Sequence, residues 1–381
     1  MVVQNNDNND DINSLNANQS FNLLHDFSNN VYSELIEDHN IDSKYHTEDT
    51  FIASLDPNNF YCLSLNAHGL PNKHTQIVNA IDRLRLANST PGAFCIQEAW
   101  IPEHFGNSLD IDGYKLFYNR RTNQRKGFDR GGTAIYIREE YVCKQIQHVT
   151  FFTQHILEST VVKVEIPGIK KFILVSCYRP NTHPTLNDND QIDTAIDCLQ
   201  GMMDKLAEYD LPILLLGDFN IDLLKNNIIN DKSIDFLDSL AAYGFIPFIS
   251  RATRIENRIG ANMQVTQSAT LIDNILLNDL FNSVTKSGII TDTPSDHFMT
   301  FISLNFKNSS TKKPLFRFAR NMCQEKKEGF KTSLQNQNWG EVSNKQCPNE
   351  ACDAFLYTFF GLFNIHFPKR TIVVSIHRTL S

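Results

Sequence analysis

Asp218 and Asn220 stand two residues apart, immediately after the apolar run Pro212-Ile-Leu-Leu-Leu216 and Gly217. A carboxylate can take a proton from water, and an amide beside it can hold that water in place. Side chains at i and i+2 of a strand share a face. A strand ending near Gly217 would therefore deliver both groups to one point at its C-terminal end, where open α/β sheets place their ligands. The same residues also suit an ordinary Asp/Asn turn, and the stretch alone fits both readings equally.

Other apolar runs also end in, or carry, a polar residue: Asn66, Glu98, Tyr178, Asp273 and the pair Asp296-His297. Taken singly, Asn66 is a turn former, Glu98 a surface acid, and Tyr178 a packed ring with its hydroxyl in water. Asp273 is harder to explain that way. It sits between Leu271-Ile272 and Ile275-Leu276-Leu277, where a carboxylate is costly unless paired. One site could use every member of the set. Carboxylates are hard oxygen ligands for Mg²⁺, histidine and amide can contact phosphate oxygens, and a second carboxylate can orient the histidine. The chemistry so composed is metal-assisted attack of water on a phosphate ester.

These residues need elements to position them. Phe60–Leu65, Ala93–Ile96, Gly131–Ile137, Thr160–Ile166, Lys171–Ser176, Pro212–Leu216, Thr270–Leu277 and Phe298–Phe306 read as strands. The close spacing of the 131–137, 160–166 and 171–176 runs, with a turn at Gly168, predicts antiparallel pairing. Ile77, Ile81 and Leu84 mark one helix face, with Asn72 as its expected cap. Ile192, Ile196, Leu199, Met203 and Leu206 mark a second, and Ile234–Tyr243, stopped by Gly244, a third. Strands and helices interleaved in this way predict a layered α/β architecture.

The formal net charge of −8 is concentrated at one end. Residues 1–56 net −10, with Lys44 their one basic residue, which leaves the remainder at +2. Net charge therefore does not exclude a polyanionic substrate. Residues 1–56 are Asn-rich and acidic and are expected to be largely disordered, with a short helix around Leu35-Ile36. Order is expected to start near Phe60. Beyond about residue 307 the chain turns basic, from Lys312, Lys313, Arg317 and Arg320 to Lys326, Lys327 and Lys331, and then helical and aromatic. The eight cysteines form no C-x-x-C pair, which suits buried thiols in a reducing compartment. No run approaches a membrane span and no leader pattern opens the chain, so a soluble intracellular protein is expected.

The ordered set Asn66, Gln97-Glu98, Tyr178-Arg-Pro180, Gly217-Asp-Phe-Asn220, Ile272-Asp273 and Ser295-Asp-His297 resembles the endonuclease/exonuclease/phosphatase superfamily. The resemblance covers roughly residues 57–307. It implies two packed mixed β-sheets flanked by helices, a four-layer α/β sandwich of deoxyribonuclease I type. It also implies that Glu98 holds a divalent metal, Mg²⁺ or Mn²⁺, with Asn66 and Asp296 close to it. Asp218 would handle the proton and Asn220 would orient the attacking group. His297, held by Asp273, would contact the phosphate, and so would Tyr178.

Arg130–Arg138, Tyr178–Asn181, Arg251–Ile255 and Ser268–Asn278 further resemble the endonuclease domains of LINE-type non-LTR retrotransposons, and Phe363–Arg370 is similar to the segment that links this endonuclease to the reverse transcriptase in such elements. The implied activity is nicking of double-stranded DNA to leave a 3′-hydroxyl that primes reverse transcription. The implied division is an acidic segment 1–56, an endonuclease domain 57–307, and a linker 308–381 toward a missing reverse transcriptase. No Tyr- or Phe-x-Asp-Asp polymerase motif occurs in the chain. Element RNA and a reverse transcriptase would be partners in a full-length polyprotein, and the site of action would be nuclear. Arg120, Arg121, Arg130, Arg179, Arg251 and Arg254 are the expected DNA contacts, the first three within a basic run that also holds Lys115, Arg125 and Lys126. An abasic-site endonuclease, a small-molecule phosphomonoesterase of the same superfamily and an inactive element remnant are the competing readings.

Overall fold

The computed structural model describes residues 36, 39–121, 130–153, 155–167, 171–224, 232–259, 265–278, 283–306, 315–319, 324–367 and 370–374. The chain divides into two compact units, Met1–Ser309 and Ser310–Ser381. Along the first unit run β1 (Lys44–His46), α1 (Glu48–Ala53), β2 (Phe60–Asn66), α2 (Leu70–Leu86), β3 (Ala93–Gln97) and β4 (Tyr114–Asn119). They are followed by β5 (Thr133–Arg138), β6 (Val142–Gln145), β7 (Phe152–Thr153), β8 (Leu157–Glu165), β9 (Phe172–Tyr178) and α3 (Asp188–Ala207). Then come β10 (Ile213–Asp218), α4 (Lys232–Ala242), β11 (Ile246–Pro247), β12 (Arg254–Ile259) and β13 (Val265–Thr270). The unit closes with β14 (Asp273–Leu277), β15 (Val284–Ile290) and β16 (Met299–Leu304).

Two seven-stranded sheets result. One has the order β1-β15-β16-β2-β3-β5-β4; the other has β11-β14-β10-β9-β8-β6, with β7 paired to β8. Strands β2 and β3 are parallel, as are β9 and β10, while the remaining neighbours in the second sheet are antiparallel. The period-2 alternation of the first sheet separates two cores. Cys62, Ala93, Cys95, Ile135 and Ile137 face the second sheet and meet Val162, Leu174 and Leu216 there. Leu63, Leu65, Phe94, Ile96 and Tyr136 face the other way, onto Phe51 of α1 and Ile77, Ile81 and Leu84 of α2. Helices α3 and α4 cover the outer face of the second sheet through Leu199, Met203, Phe236 and Leu240. The layers are helix, sheet, sheet, helix. Strands buried on both faces explain the near-continuous apolar runs.

Several expectations are corrected. The fold starts before Phe60: β1 pairs in parallel with β15, and α1 is capped by Thr47, whose side chain accepts from the Thr50 N–H. A three-residue edge strand takes its stability from a partner more than 240 residues away, which no local periodicity records. Gly69, with φ of +106°, caps α2 in place of Asn72. Strands β5 and β8 do not pair; they belong to different sheets and face each other through a Thr133–Thr160 hydroxyl hydrogen bond of 2.8 Å. The run 270–277 is two strand ends, so Asp273 opens β14 instead of interrupting it. Residues 1–35, Gly168, Arg125, Lys126, Lys312, Lys313 and Arg320 lie outside the described residues, as do the side chains of Arg317 and Lys326.

In the second unit β17 (Leu315–Ala319) pairs antiparallel with β18 (Arg370–Val374), and α5 (Gln324–Gln335), α6 (Gly340–Ser343) and α7 (Pro348–His366) lie between them in sequence. Phe330 packs edge-on to Phe359, Phe363 and Phe367.

Candidate active site

The polar residues gather at one end of the two sheets because of strand direction. Asn66, Tyr178 and Asp218 are the last residues of β2, β9 and β10, and Glu98 follows the last residue of β3. Strand β14 runs antiparallel to β10, so its first residue, Asp273, lies directly opposite Asp218. Strand β16 runs antiparallel to β2, which brings His297, two residues before it, to the same end. Parallel and antiparallel neighbours thus deliver opposite strand termini to one place.

Asn66 joins the sheets. Its Nδ2 donates to Glu98 Oε1 at 2.9 Å and to Asp218 Oδ2 at 2.8 Å, while its Oδ1 accepts from the His68 N–H at 3.1 Å. Both amide hydrogens are committed, so the side chain has one orientation. Beneath it Ser64 donates to Gln97, and Gln97 donates across to Ser176 on β9 at 3.0 Å. The interface between the sheets therefore changes from apolar to polar as it nears the site. Ser64 and Ser176 gave only a faint sequence signal, each being a single hydroxyl in an apolar run.

His297 is buried, and its Nδ1 lies 2.9 and 3.1 Å from the two oxygens of Asp273. Thr253 donates to Asp273 Oδ2 at 2.7 Å and accepts from the Asp273 N–H at 3.1 Å. A threonine in a polar stretch twenty residues away carries no local signature of this role. Burial alone pulls the His297 imidazole down, but the charge and hydrogen bond of Asp273, with Asp218 and Asp296 beyond, raise it to about 10. It is an imidazolium at neutral pH. Asp218 moves the other way. Burial, then the facing Asp273 charge, pushes its carboxyl up to about 7, against the opposing pull of His297 and Asn66. Burial and the Glu98 and Asp218 charges push the Tyr178 hydroxyl well above its ordinary value, and it hydrogen-bonds Glu98. It therefore stays a donor.

Asn220 has φ of +49°, and its amide reaches Asp218 Oδ2 at 3.3 Å while its N–H donates to Asp218 Oδ1 at 3.0 Å. Glu98, with φ of +48°, is half-buried and Asp296 is exposed. Although burial acts to raise it, the Asp296 carboxyl lies below its ordinary value because of His297 and Arg254. Ser295 donates to the Asn66 carbonyl at 2.7 Å and to Asp296 Oδ1 at 3.3 Å, which ties the 295–297 turn to β2.

Two oxygen-donor groups lie here. Asp218, Asp273 and His297 have ligand atoms within 4.8 Å of one another. Their capacity is already used, since Asp273 is engaged by both His297 and Thr253. Glu98 and Asp296 supply further carboxylate oxygens, each tied to Asn66, Glu98 through the Asn66 amide and Asp296 through Ser295. Carboxylate and amide oxygens are the donors that hard divalent cations take.

The six arginines fall into two groups. Arg254 forks onto Asp296 Oδ2, with Nη2 at 2.8 Å and Nε at 3.2 Å, and also meets Glu256 at 2.6 Å. Arg130 is exposed and lies over the Trp100 ring, 5.5 Å from its centroid. Arg120 approaches Glu103 at 3.9 Å, and Arg251 meets Asp42 at 3.1 Å. Arg121 and Arg179 are corrections: both are buried, not surface contacts. Arg121 ion-pairs with the fully buried Glu158, which also accepts from the Gly132 N–H. Arg179 donates to the Phe219 and Asn220 carbonyls.

A helix–sheet–sheet–helix sandwich with carboxylates, amides and a His–Asp pair at one end of both sheets is a deoxyribonuclease I-like fold. Residues 39–297 match the model of the Endonuclease/Exonuclease/phosphatase family, and the chain belongs to that family of hydrolytic enzymes. The fold is similar to that of the AP endonuclease LMAP from Leishmania major, with a TM-score of 0.50 and 11% identity over 71% of this chain and 94% of that one. The endonuclease domain of TRAS1, a telomere-specific non-LTR retrotransposon, gives 0.46 and 14% over 67% and 100%. A mannosyl-6-phosphatase from Bacteroides thetaiotaomicron gives 0.44 and 16% over 64% and 98%. No curated protein matches the chain. Among the described residues no helix is long and apolar enough to cross a membrane.

Proposed function

We propose that this chain is a divalent-metal-dependent phosphodiesterase that nicks one strand of double-stranded DNA and leaves a 3′-hydroxyl. The observation that carries the hydrolytic part is the Asp273–His297 imidazolium beside the Asp218 carboxyl, joined through Asn66 to Glu98. The site thus pairs a fixed cation for a phosphoryl oxygen with a carboxylate able to exchange a proton near neutrality. DNA is favoured as the substrate by Arg254 and Arg130 beside the site and by the sequence resemblance to LINE-type endonuclease domains.

In this reading Glu98, Asp296 and Asn66 would hold Mg²⁺ or Mn²⁺. Such an ion would polarise the phosphoryl group and offset the charge of the transition state. Asp218 takes a proton from the attacking water, and Asn220 orients that water against it. His297 donates to a non-bridging phosphate oxygen, with Asp273 and Thr253 fixing the ring. Tyr178 donates to the same phosphate. The new oxygen–phosphorus bond forms as the bond to the 3′ oxygen breaks, and that oxygen takes a proton from solvent water and departs as the hydroxyl, while the proton on Asp218 returns to solvent. The catalytic portion extends from β1 to about residue 307, with 308–381 leading toward a reverse transcriptase in a longer element protein. Element RNA would then be a second partner, and the site of action nuclear.

Supercoiled plasmid with Mg²⁺, with EDTA, and with Asp218→Ala tests this directly. Metal-dependent conversion to open circle, lost in the variant, is expected. Cleavage only at abasic sites would redirect the reading to repair. Hydrolysis of a phosphomonoester with the plasmid left intact would make the protein a phosphatase, and no turnover of either substrate by the folded protein would make it an inactive relative.

A further inference from the structure

Arg179 is one of the largest fully buried side chains in the first unit, and it directly follows Tyr178 at the end of β9. Its environment is unusual for an arginine, which is almost never fully buried unless paired. Its nearest carboxylate, on the largely exposed Asp188, lies 3.9 Å from Nη2. Nη1 is buried with no hydrogen-bond partner among the described residues. The guanidinium is instead spent on main-chain carbonyls. Nε donates to Phe219 O and Nη2 to Asn220 O, the latter at 2.6 Å.

The arrangement is reciprocal. The Asn220 Nδ2 donates back to the Arg179 carbonyl at 2.8 Å, and the Arg179 N–H donates to the Asp218 carbonyl at 2.9 Å. Four hydrogen bonds therefore join residue 179 to residues 218–220. Between them they hold Asn220 at φ of +49°, a left-handed conformation that is uncommon outside glycine. In that conformation both the Asn220 N–H and its amide reach the Asp218 carboxylate. A free chain turning after β10 would sample other conformations, and most would aim the amide elsewhere. Strain of this kind persists where the surroundings over-determine it.

We propose that Arg179 is a positioning residue for the hydrolytic site: its guanidinium clamps the 219–220 carbonyls and so fixes the Asn220 amide on Asp218. The planar fork is what the role requires, because two carbonyls on successive residues are held by one rigid group. A lysine would keep the charge and lose one of the two bonds. The proposal rests on the reading that water is activated at Asp218.

Arg179→Lys and Arg179→Met are the test, read by nicking kinetics, thermal melting and amide hydrogen exchange. In the unaltered protein the Asn220 amide should exchange as slowly as the β10 amides, although it lies beyond the strand. In Arg179→Lys, kcat should fall roughly 100-fold with KM within about 3-fold, the range expected when an aligning group is lost. Faster exchange should be confined to residues 218–220. An Asn220 amide that exchanges at loop rates in the unaltered protein overturns the clamp. So does an Arg179→Lys protein with unchanged kcat, or one whose exchange quickens throughout the second sheet. The exchange measurement needs no turnover, so absence of nicking in the unaltered protein would count against the proposed activity and not against the clamp.

Discussion

Asp218 and Asp273 are direct cross-strand partners on β10 and β14, two buried carboxylates facing each other in an antiparallel ladder. Like charges placed this way repel, and the two carboxylates are partnered unequally. Asp273 is engaged by Thr253 and His297, while burial and the facing Asp273 charge push Asp218 up to about 7. Two chemically identical residues thereby acquire different tasks.

Replacing Asp273 by Asn separates those tasks. With the negative charge gone, His297 should titrate far below its value of about 10, and Asp218 should move down from about 7. Both shifts are visible by NMR titration of the imidazole and carboxyl carbons. Nicking should fall about 100-fold or more, as when a fixed electrostatic donor is lost. An unchanged His297 titration would show that the ring is not governed by Asp273.

The same shift makes a stability prediction. The His297 pKa is raised on folding, from 6.5 to about 10. Its contribution is therefore fully present below about pH 6.5 and is lost as pH rises through about 10. Urea unfolding of the unaltered protein should show stability declining over that alkaline window. In Asp273→Asn the decline should flatten.

Activity carries a different pH signature. A proton acceptor at Asp218 must be ionised, so the rate should rise with pH toward a midpoint near 7, or lower once a metal ion adds positive charge nearby. A rate that is flat from pH 5 to 8 would assign the proton to another group.

Arg254 and a metal ion compete for one carboxylate. Because the guanidinium forks onto Asp296, Arg254→Ala should bind Mn²⁺ more tightly, by roughly 5-fold for removal of one nearby, partly screened charge. DNA should bind more weakly, with a shallower salt dependence. Calorimetric titration with Mn²⁺ alone separates the two effects. Weaker metal binding in this variant would mean that Asp296 is not a ligand.

How much of this could be read from the chain depended on distance along it. Asp218 ends an apolar strand, and that local pattern placed it, whereas Asn220 lies past the strand at φ of +49° and reaches Asp218 through a turn instead of by strand alternation. Asp273 drew notice because a carboxylate sat among apolar residues, although its place at a strand start came only from the pairing of β14 with β10. Arg121 and Arg179 misled because arginines usually lie at the surface. What buries them is a carboxylate 37 residues away for Arg121 and a pair of carbonyls about 40 residues away for Arg179. Thr253 and β1 were invisible for the same reason, their partners being set by tertiary pairing alone.

Gly217 supplies the last prediction, and it concerns how closely β9 and β10 approach beneath the site. A Cβ added there would lie 2.2 Å from the Cys177 carbonyl oxygen and 3.1 Å from the Cys177 Cβ. The obstacle is backbone in a parallel ladder whose register pairs Gly217 with Cys177 and Asp218 with Tyr178. No rotamer change can relieve it, so the strands must separate. Gly217→Ala should therefore cost at least the 1–3 kcal/mol or so of an overpacked core, measured by urea unfolding. Because the displaced residues are those next to Asp218 and Tyr178, nicking by the fraction that stays folded should fall as well. An alanine variant of unaltered stability would mean that β9 and β10 can part without disturbing the sheet, contrary to a ladder buried on both faces.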